Sequence, residues 1–185
     1  AFTGNSAIDT FTANVALGID GLVGVQTLQG SDSIDGGDGV DILNAELNGT
    51  GALANPMISN IENYFLTSFE NLLGGTGELD LDRATGYEQL WDRNSRANLT
   101  LDTVHEVAVL GMDNVRNGST YQVNYDSVAV DTQVVVVNHS GVDVNGTVTL
   151  HINGVDGNIT NLELNVSDGV DLELDGDAAD IENLV

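Results

Sequence analysis

The nine residues Gly36-Gly37-Asp38-Gly39-Val40-Asp41-Ile42-Leu43-Asn44 carry the sharpest chemical signal in the chain. They fit the pattern G-G-x-G-x-D-x-U-x, where U is a large apolar residue, at every specified position. Glycines permit positive φ and let the backbone turn its carbonyl oxygens inward. Asp41 adds a charged oxygen, and Leu43 two positions on starts a short buried strand. Such a mixture of carboxylate and carbonyl oxygens suits calcium, which takes about 6–8 hard oxygens in irregular geometry, better than magnesium, which demands strict octahedral order. The preceding nine residues, Thr27 to Asp35, keep Gly30, Asp32 and Ile34, and Gly4 to Thr12 keeps Gly4, Asp9 and Phe11. The expected calcium ligands are therefore Gly30, Asp32, Gly36, Asp38, Gly39 and Asp41, with Asp9 alongside. The competing reading is a set of Gly-Asp turns that bind nothing. With so few adjacent repeats, the Gly36 loop must borrow ligands from the Gly4–Asp9 turn or from Asp20-Gly21.

A second acidic cluster, Asp168 to Glu182, places seven acids in fifteen residues. Asp171-Leu172-Glu173-Leu174-Asp175-Gly176 followed by Glu182 approaches an EF-hand loop. Helical flanks are missing, however, and Leu172 and Leu174 read as the buried face of a strand. Asp175, Asp177 and Asp180 are further candidate calcium ligands. The alternative is a solvated acidic edge that discourages strand pairing. Catalysis finds little support. His105, His139 and His151 are scattered, His105-Glu106 has no second His or Cys at metal spacing, and no nucleophile elbow or phosphate loop is present. The expectation is a protein that is not an enzyme.

Charge narrows the partners. Four basic against 29 acidic side chains give −25, and all four bases are arginines: Arg83, Arg93, Arg96 and Arg116. Nucleic acid and anionic membrane are poor partners for such a chain, because phosphate contacts need clustered Lys or Arg. The charge repels itself in a compact state, and bound cations would relieve that repulsion; a highly soluble, salt-adapted surface is the alternative. There is no cysteine, so neither disulfides nor thiolate metal sites are available. No segment approaches the roughly 20 apolar residues of a membrane span, and residues Ala1 to Gly4 lack the features of a signal peptide. The chain starts and stops inside its own pattern and reads as a fragment of something larger.

The elements that must hold these residues are strands. Apolar residues alternate at Leu79 and Leu81, Leu99 and Leu101, Val107 and Val109, Val148, Leu150 and Ile152, and Leu162, Leu164 and Val166. Alternation by two marks strands with one face buried. From Leu79 to Leu90 to Leu99 to Val107 the spacing stays near ten residues, the length of a short strand plus a turn, which we take as one solenoid rung. A short helix is the alternative for Ala84 to Leu101, around Tyr87, Leu90 and Trp91. Longer strands are expected at Tyr121–Val130, Gln133–Asn138, Thr147–Ile152 and Ile159–Val166. Asn145-Gly146, Asn153-Gly154 and Asp156-Gly157 would separate the later ones, so a wider solenoid and an antiparallel sandwich both stand. Ile61-Glu62-Asn63 returns as Ile181-Glu182-Asn183, 120 positions later (181 − 61).

Thr3-Gly4-Asn5 running to Asp9-Thr10-Phe11-Thr12-Ala13, then Gly30 to Asn44, then Ile58-Ser59-Asn60-Ile61-Glu62-Asn63, resembles the calcium-dependent RTX-type S-layer proteins of bacteria, and large RTX adhesins share parts of the pattern. The ordered match covers roughly the first 68 residues and returns weakly at Ile181-Glu182-Asn183. The resemblance implies a right-handed parallel β-solenoid with calcium turns, exported by a type I system and ordered by extracellular calcium. Few nonapeptides and no secretion signal are the departures.

The expected organisation is all-β. Residues 1–68 begin a calcium-binding solenoid, and 69–185 continue it or form a β-sandwich that ends where another repeat unit starts. The expected role is a calcium-linked structural module of a surface layer or other large extracellular protein. It would self-associate or join neighbouring repeats of the same protein, at the bacterial surface or secreted. One alternative is a carbohydrate- or cell-binding adhesin domain, in which Trp91 with Tyr87 would be the stacking platform for a surface polysaccharide. Another is the non-catalytic calcium module of a secreted enzyme.

Overall fold

Alternation by two becomes structure along nearly the whole chain. In β15 (Thr132–Asn138) the side chains of Gln133, Val135 and Val137 are buried while their neighbours are partly exposed, as a strand with one face on a core requires. A computed structural model describes the chain except residues 18–23, 50–52, 70–74, 106, 127–131, 142–145, 154–160, 168–171, 177–182 and 185. Among the described residues there is no helix.

The strands wind as a parallel β-solenoid. One long sheet contains eight strands in the order β19 (Asn183–Leu184), β17 (Asn161–Val166), β15, β13 (Val109–Asp113), β11 (Gln89–Arg93), β8 (Asn63–Ser68), β6 (Ile42–Leu47) and β2 (Thr10–Ala13). A second sheet stacks β18 (Leu172–Gly176), β16 (Val148–Asn153), β14 (Thr120–Tyr125), β12 (Leu99–Val104) and β9 (Gly77–Asp80). A third, of very short strands, covers only the N-terminal coils: β1 (Phe2–Thr3), β5 (Ser33–Asp35), β7 (Met57–Ser59) and β10 (Ala84–Thr85). Every pairing in these three sheets is parallel; β3 (Ala16–Leu17) and β4 (Gly24–Val25) form a separate antiparallel pair.

Parallel register settles the second half of the chain. β14, β16 and β18 stack in one sheet and β15 and β17 in the other, all in parallel, so among the described residues of 120–176 no antiparallel sandwich forms. Asn145-Gly146 lies between β15 and β16, which belong to different sheets, and closes no hairpin. The ten-residue spacing is likewise half a coil, not a rung: Leu99 pairs with Gly77 on one side and Tyr121 on the other, 22 residues each way (99 − 77 and 121 − 99). The helix considered for Ala84 to Leu101 is replaced by β10, β11 and the start of β12, and Asn94 at φ 57° ends β11. The long sheet runs through residue 68 without interruption. What changes near there is the cross-section, as the second sheet begins at β9 and the third stops at β10.

The core is a set of aliphatic columns, one residue per coil. Leu43, Tyr64, Leu90, Leu110 and Val135 occupy one column and are all fully buried. Val109, expected inward, faces out instead: Leu110 and Met112 take the inner positions of β13. The next column inserts an acid, Asp92, between Leu66 and Met112. Ser95 Oγ donates to Asp92 Oδ1, while Asp92 Oδ2 has no hydrogen-bond partner among the described residues. Burial pushes the Asp92 carboxyl up to about 7, although the Ser95 bond pulls the other way.

Candidate metal centre

The residues immediately before four successive strands of the long sheet are acids. Thr10 pairs with Ile42, Ile42 with Asn63, and Asn63 with Gln89, so Asp9, Asp41, Glu62 and Glu88 stack one per coil at the entry corner. Backbone donors knit the column together. Asp9 N–H donates to Asp41 Oδ1 at 2.7 Å, and Asp41 N–H donates to Glu62 Oε2 at 2.6 Å. At the ~4.8 Å coil spacing, two unit charges at an effective dielectric of about 20 repel by about 3 kcal/mol. A column of four therefore gains from any bound cation.

The glycine turns bring carbonyl oxygens to the same corner. Gly4 stacks on Gly36, and Gly36 on Asn60, with Gly4 N–H donating to the Asp35 carbonyl at 2.7 Å and Gly36 N–H to the Ser59 carbonyl at 2.9 Å. A Cβ on Gly36 would collide with the Asn60 carbonyl oxygen and come within 2.5 Å of Asp41 Oδ2; one on Gly4 would collide with the Gly36 carbonyl oxygen and approach Asp9 Oδ2 to 2.7 Å. Gly37 and Gly39 take φ 91° and 136°, which side-chain-bearing residues avoid. Their would-be Cβ atoms would press on the carbonyl oxygens of Asn5 and Ala7. So two stacked turns converge backbone oxygens and a carboxylate where no side chain fits.

The two turns differ in how they satisfy their acid. Asp9 is capped by its own loop: Asn5 N–H donates to Oδ2 at 2.7 Å and Asn5 Nδ2 to Oδ1 at 3.0 Å. In the next coil, Gly37 stands in the corresponding place and its N–H turns to Asp35 Oδ1 at 3.2 Å. Asp41, 0% exposed, is left with Oδ2 buried and without a hydrogen-bond partner among the described residues. The Asn60 side-chain amide, at 2.8 Å, and that Gly37 N–H hold the Asp35 carboxyl below its ordinary range.

Of the residues expected to bind calcium, the structure brings together Gly36, Gly39, Asp41 and Asp9, the last from the Gly4 turn. Asp38 lies in the same turn with its side chain exposed. Gly30 and Asp32 do not join them. They sit at the opposite end of β5, where Asp32 Oδ2 caps its own turn by accepting Gln29 N–H at 2.8 Å. There Arg83 Nη1 donates to the carbonyls of Gly30 and Asn55, both at 3.2 Å, so an internal guanidinium already occupies the carbonyl cluster. Asp175 lies in β18 opposite His151. Its side chain, together with Asp177, Asp180 and the Asp20-Gly21 pair, falls outside the described residues. Leu172–Gly176 of the EF-hand-like stretch forms strand β18; Asp171 and Asp177 to Glu182 lie outside the described residues.

Glu62 and Asn60 enter from the turn that motif matching missed. Asn60 adopts φ 52° and places its carbonyl beside Gly36. The available signal was an acid directly before each of the first four strands of the long sheet, β2, β6, β8 and β11. Both Ile-Glu-Asn triplets share that position, since Asn63 opens β8 and Asn183 opens β19 in that sheet. Among the described residues no three His, Cys, Asp or Glu side chains converge as a metal-holding group, so a cation here needs the backbone oxygens. The proposed aromatic platform divides. Tyr87 is buried against Tyr64, 5.7 Å between centroids, and its hydroxyl accepts His105 N–H at 2.7 Å; Trp91 lies on the outer face of the long sheet with Phe65.

No protein-family model, no curated protein and no solved structure matches this chain.

Proposed function

We propose that this chain is a calcium-linked structural module of a bacterial surface layer or another large extracellular RTX-type protein, with no catalytic role of its own. The observation that carries the reading is the buried Oδ2 of Asp41, without a hydrogen-bond partner among the described residues and set beside Gly36, where an added Cβ would meet both it and the Asn60 carbonyl oxygen. A buried carboxylate oxygen without a donor is costly. A calcium ion supplies the missing positive charge and accepts the irregular mixture of carboxylate and carbonyl that these turns offer. Glu62, Asp9 and the carbonyls of Gly36 and Asn60, which stack at the same corner, would supply further oxygens.

The same reading accounts for self-association with another copy or a neighbouring repeat. Phe11 and Ala13 of β2 are only partly buried, whereas Leu43 and Ala45, their partners one coil on, are fully buried. A further coil stacked on β2 would cover them, and calcium would lower the charge repulsion that opposes it. Thermal melts in EDTA and in millimolar calcium test the module. Calcium at a hundredfold above its dissociation constant adds about 2.7 kcal/mol, which for a chain of this size raises Tm by roughly 5–10 °C. Magnesium should do much less, and equal melting in EDTA and calcium would remove the proposal's support.

A further inference from the structure

The opposite corner of the long sheet concentrates the few positive charges that the chain has. Asn94, Asn114 and His139 follow β11, β13 and β15 in register, at φ 57°, 56° and 46°. Asn114 Nδ2 donates to Asn94 Oδ1 at 2.8 Å. Buried serines fix the corner from inside: Ser95 Oγ accepts Ser68 N–H at 2.7 Å, and Ser140 Oγ accepts Val115 N–H at 3.1 Å. Outside lies a groove of about 740 Å³ lined by Asn94, Arg96, Asn114, Arg116, Asn117 and His139. With Arg93 on the adjoining sheet face, three of the chain's four arginines meet here, in a molecule of net charge −25. The Asp113 carboxylate lies 3.5 Å from Arg93 Nε and 3.7 Å from His139 Nδ1, and Arg116 Nη1 donates to the Arg96 carbonyl at 3.5 Å.

An aromatic surface adjoins the groove. Phe65 and Trp91, on neighbouring strands, have ring centroids 6.4 Å apart, and Arg93 Cζ lies 4.7 Å from the Phe65 centroid. Trp91 rests over Gly111, where any side chain would collide with the indole. A smaller hollow of about 280 Å³ is lined by Asn44, Glu46, Phe65, Thr67 and Arg93 and shares Asn94 with the groove. Amides, hydroxyls, ring faces and guanidinium groups thus run continuously from the outer sheet face around the corner.

We propose that this corner binds an anionic polysaccharide, with sugar rings against Trp91 and Phe65 and acid groups in the arginine groove. Guanidinium groups pair with carboxylate or sulfate through two parallel hydrogen bonds. Asparagine amides, each both donor and acceptor, match sugar hydroxyls. An apolar sugar face packs on an aromatic ring as other C–H surfaces do. A backbone already fixed by the serine and asparagine columns keeps the ordering cost of binding low. An acidic segment of a second copy would use the arginines equally but has no need of rings and amides beside them.

Fluorescence anisotropy with a labelled oligogalacturonate tests the site on the whole chain in calcium. A neutral oligosaccharide of equal length and poly-glutamate serve as the comparison probes. The expected result is binding of the oligogalacturonate at least tenfold tighter than of either comparison probe, weakened by added salt. Arg96→Gln together with Arg116→Gln should weaken it at least tenfold, and Trp91→Ala about fivefold, with melting temperatures near wild type. Asp41→Asn, at the other corner, should leave the affinity within twofold, which separates this site from the calcium reading. If Arg116→Gln disturbs the fold, Arg96→Gln alone should still weaken binding severalfold. Equal binding of poly-glutamate with no effect of Trp91→Ala would overturn the polysaccharide assignment in favour of a protein partner, and no binding of any probe would overturn the site itself.

Discussion

The entry corner of the long sheet stacks Asp9, Asp41, Glu62 and Glu88, and the exit corner stacks Asn94, Asn114 and His139. Both columns repeat at the coil spacing, but their side chains differ in what they can exchange. An amide donates and accepts, so Asn114 Nδ2 can bond Asn94 Oδ1 within the column. A carboxylate only accepts. In the entry column Asp41 and Glu62 each accept one backbone N–H from the adjoining coil, and further donors depend on local supply. Asn5 provides it for Asp9, and nothing among the described residues provides it for the second oxygen of Asp41. A column of acids in a solenoid therefore makes a demand for positive charge that a column of amides does not.

A buried acid, Asp92, lies beside the exit corner and should give the largest effect. Asp92 is wholly buried, bonded to Ser95, with its carboxyl near 7 instead of 3.8. Between those values the native chain holds a proton that the unfolded chain has released, so stability falls as pH rises through this window and levels off above about 7. Three pKa units at about 1.36 kcal/mol each amount to about 4 kcal/mol. Denaturant melts at pH 4 and pH 8 should show this loss in the wild type and not in Asp92→Asn. The same slope in both would mean that the carboxyl is stabilised as an anion.

Glycine substitutions sharpen the contrast next. Gly36→Ala forces a methyl against the Asn60 carbonyl and Asp41 Oδ2 and should cost about 3 kcal/mol. Gly118, just past the exit corner, has φ 74° and open space around a would-be Cβ, so Gly118→Ala should cost only the left-handed backbone penalty of about 1 kcal/mol. Urea midpoints measure both. Similar costs would show that close approach at the entry corner is not tight.

Much of this was legible in the residues, for physical reasons. Period-two alternation depends only on the pleat, so Leu99 and Leu101 or Val148, Leu150 and Ile152 announce strands wherever they pair. Coil length does not announce itself. Paired residues in the long sheet are offset by 32 from Thr10 to Ile42, 21 from Ile42 to Asn63, 26 from Asn63 to Gln89 and 20 from Gln89 to Val109. Without a constant period, the stacking of Asn60 and Glu62 onto the Gly36 loop could not be counted out. Asp41 was visible because its own loop contains the spacing; its neighbours were not, because register supplies them. Gly30 and Asp32 matched half the pattern, yet the Gly30 carbonyl meets Arg83, a residue 53 positions away that no local motif reports.

That separation yields the smallest expected effect. Asp32→Ala should lose a turn cap worth about 1 kcal/mol while leaving calcium affinity within twofold, read by titration with a calcium-sensitive competitor dye. A tenfold loss would place the Gly30 turn in the metal site after all.

Calorimetric calcium titration of the wild type beside Asp41→Asn isolates the role of this carboxylate. The amide keeps the size of the side chain and removes the charge that the glycine turns surround. A saturable heat is expected in the wild type and at least tenfold weaker binding in Asp41→Asn, with magnesium giving little heat in either. Indistinguishable isotherms for the two proteins, or no calcium heat at all, would contradict that role.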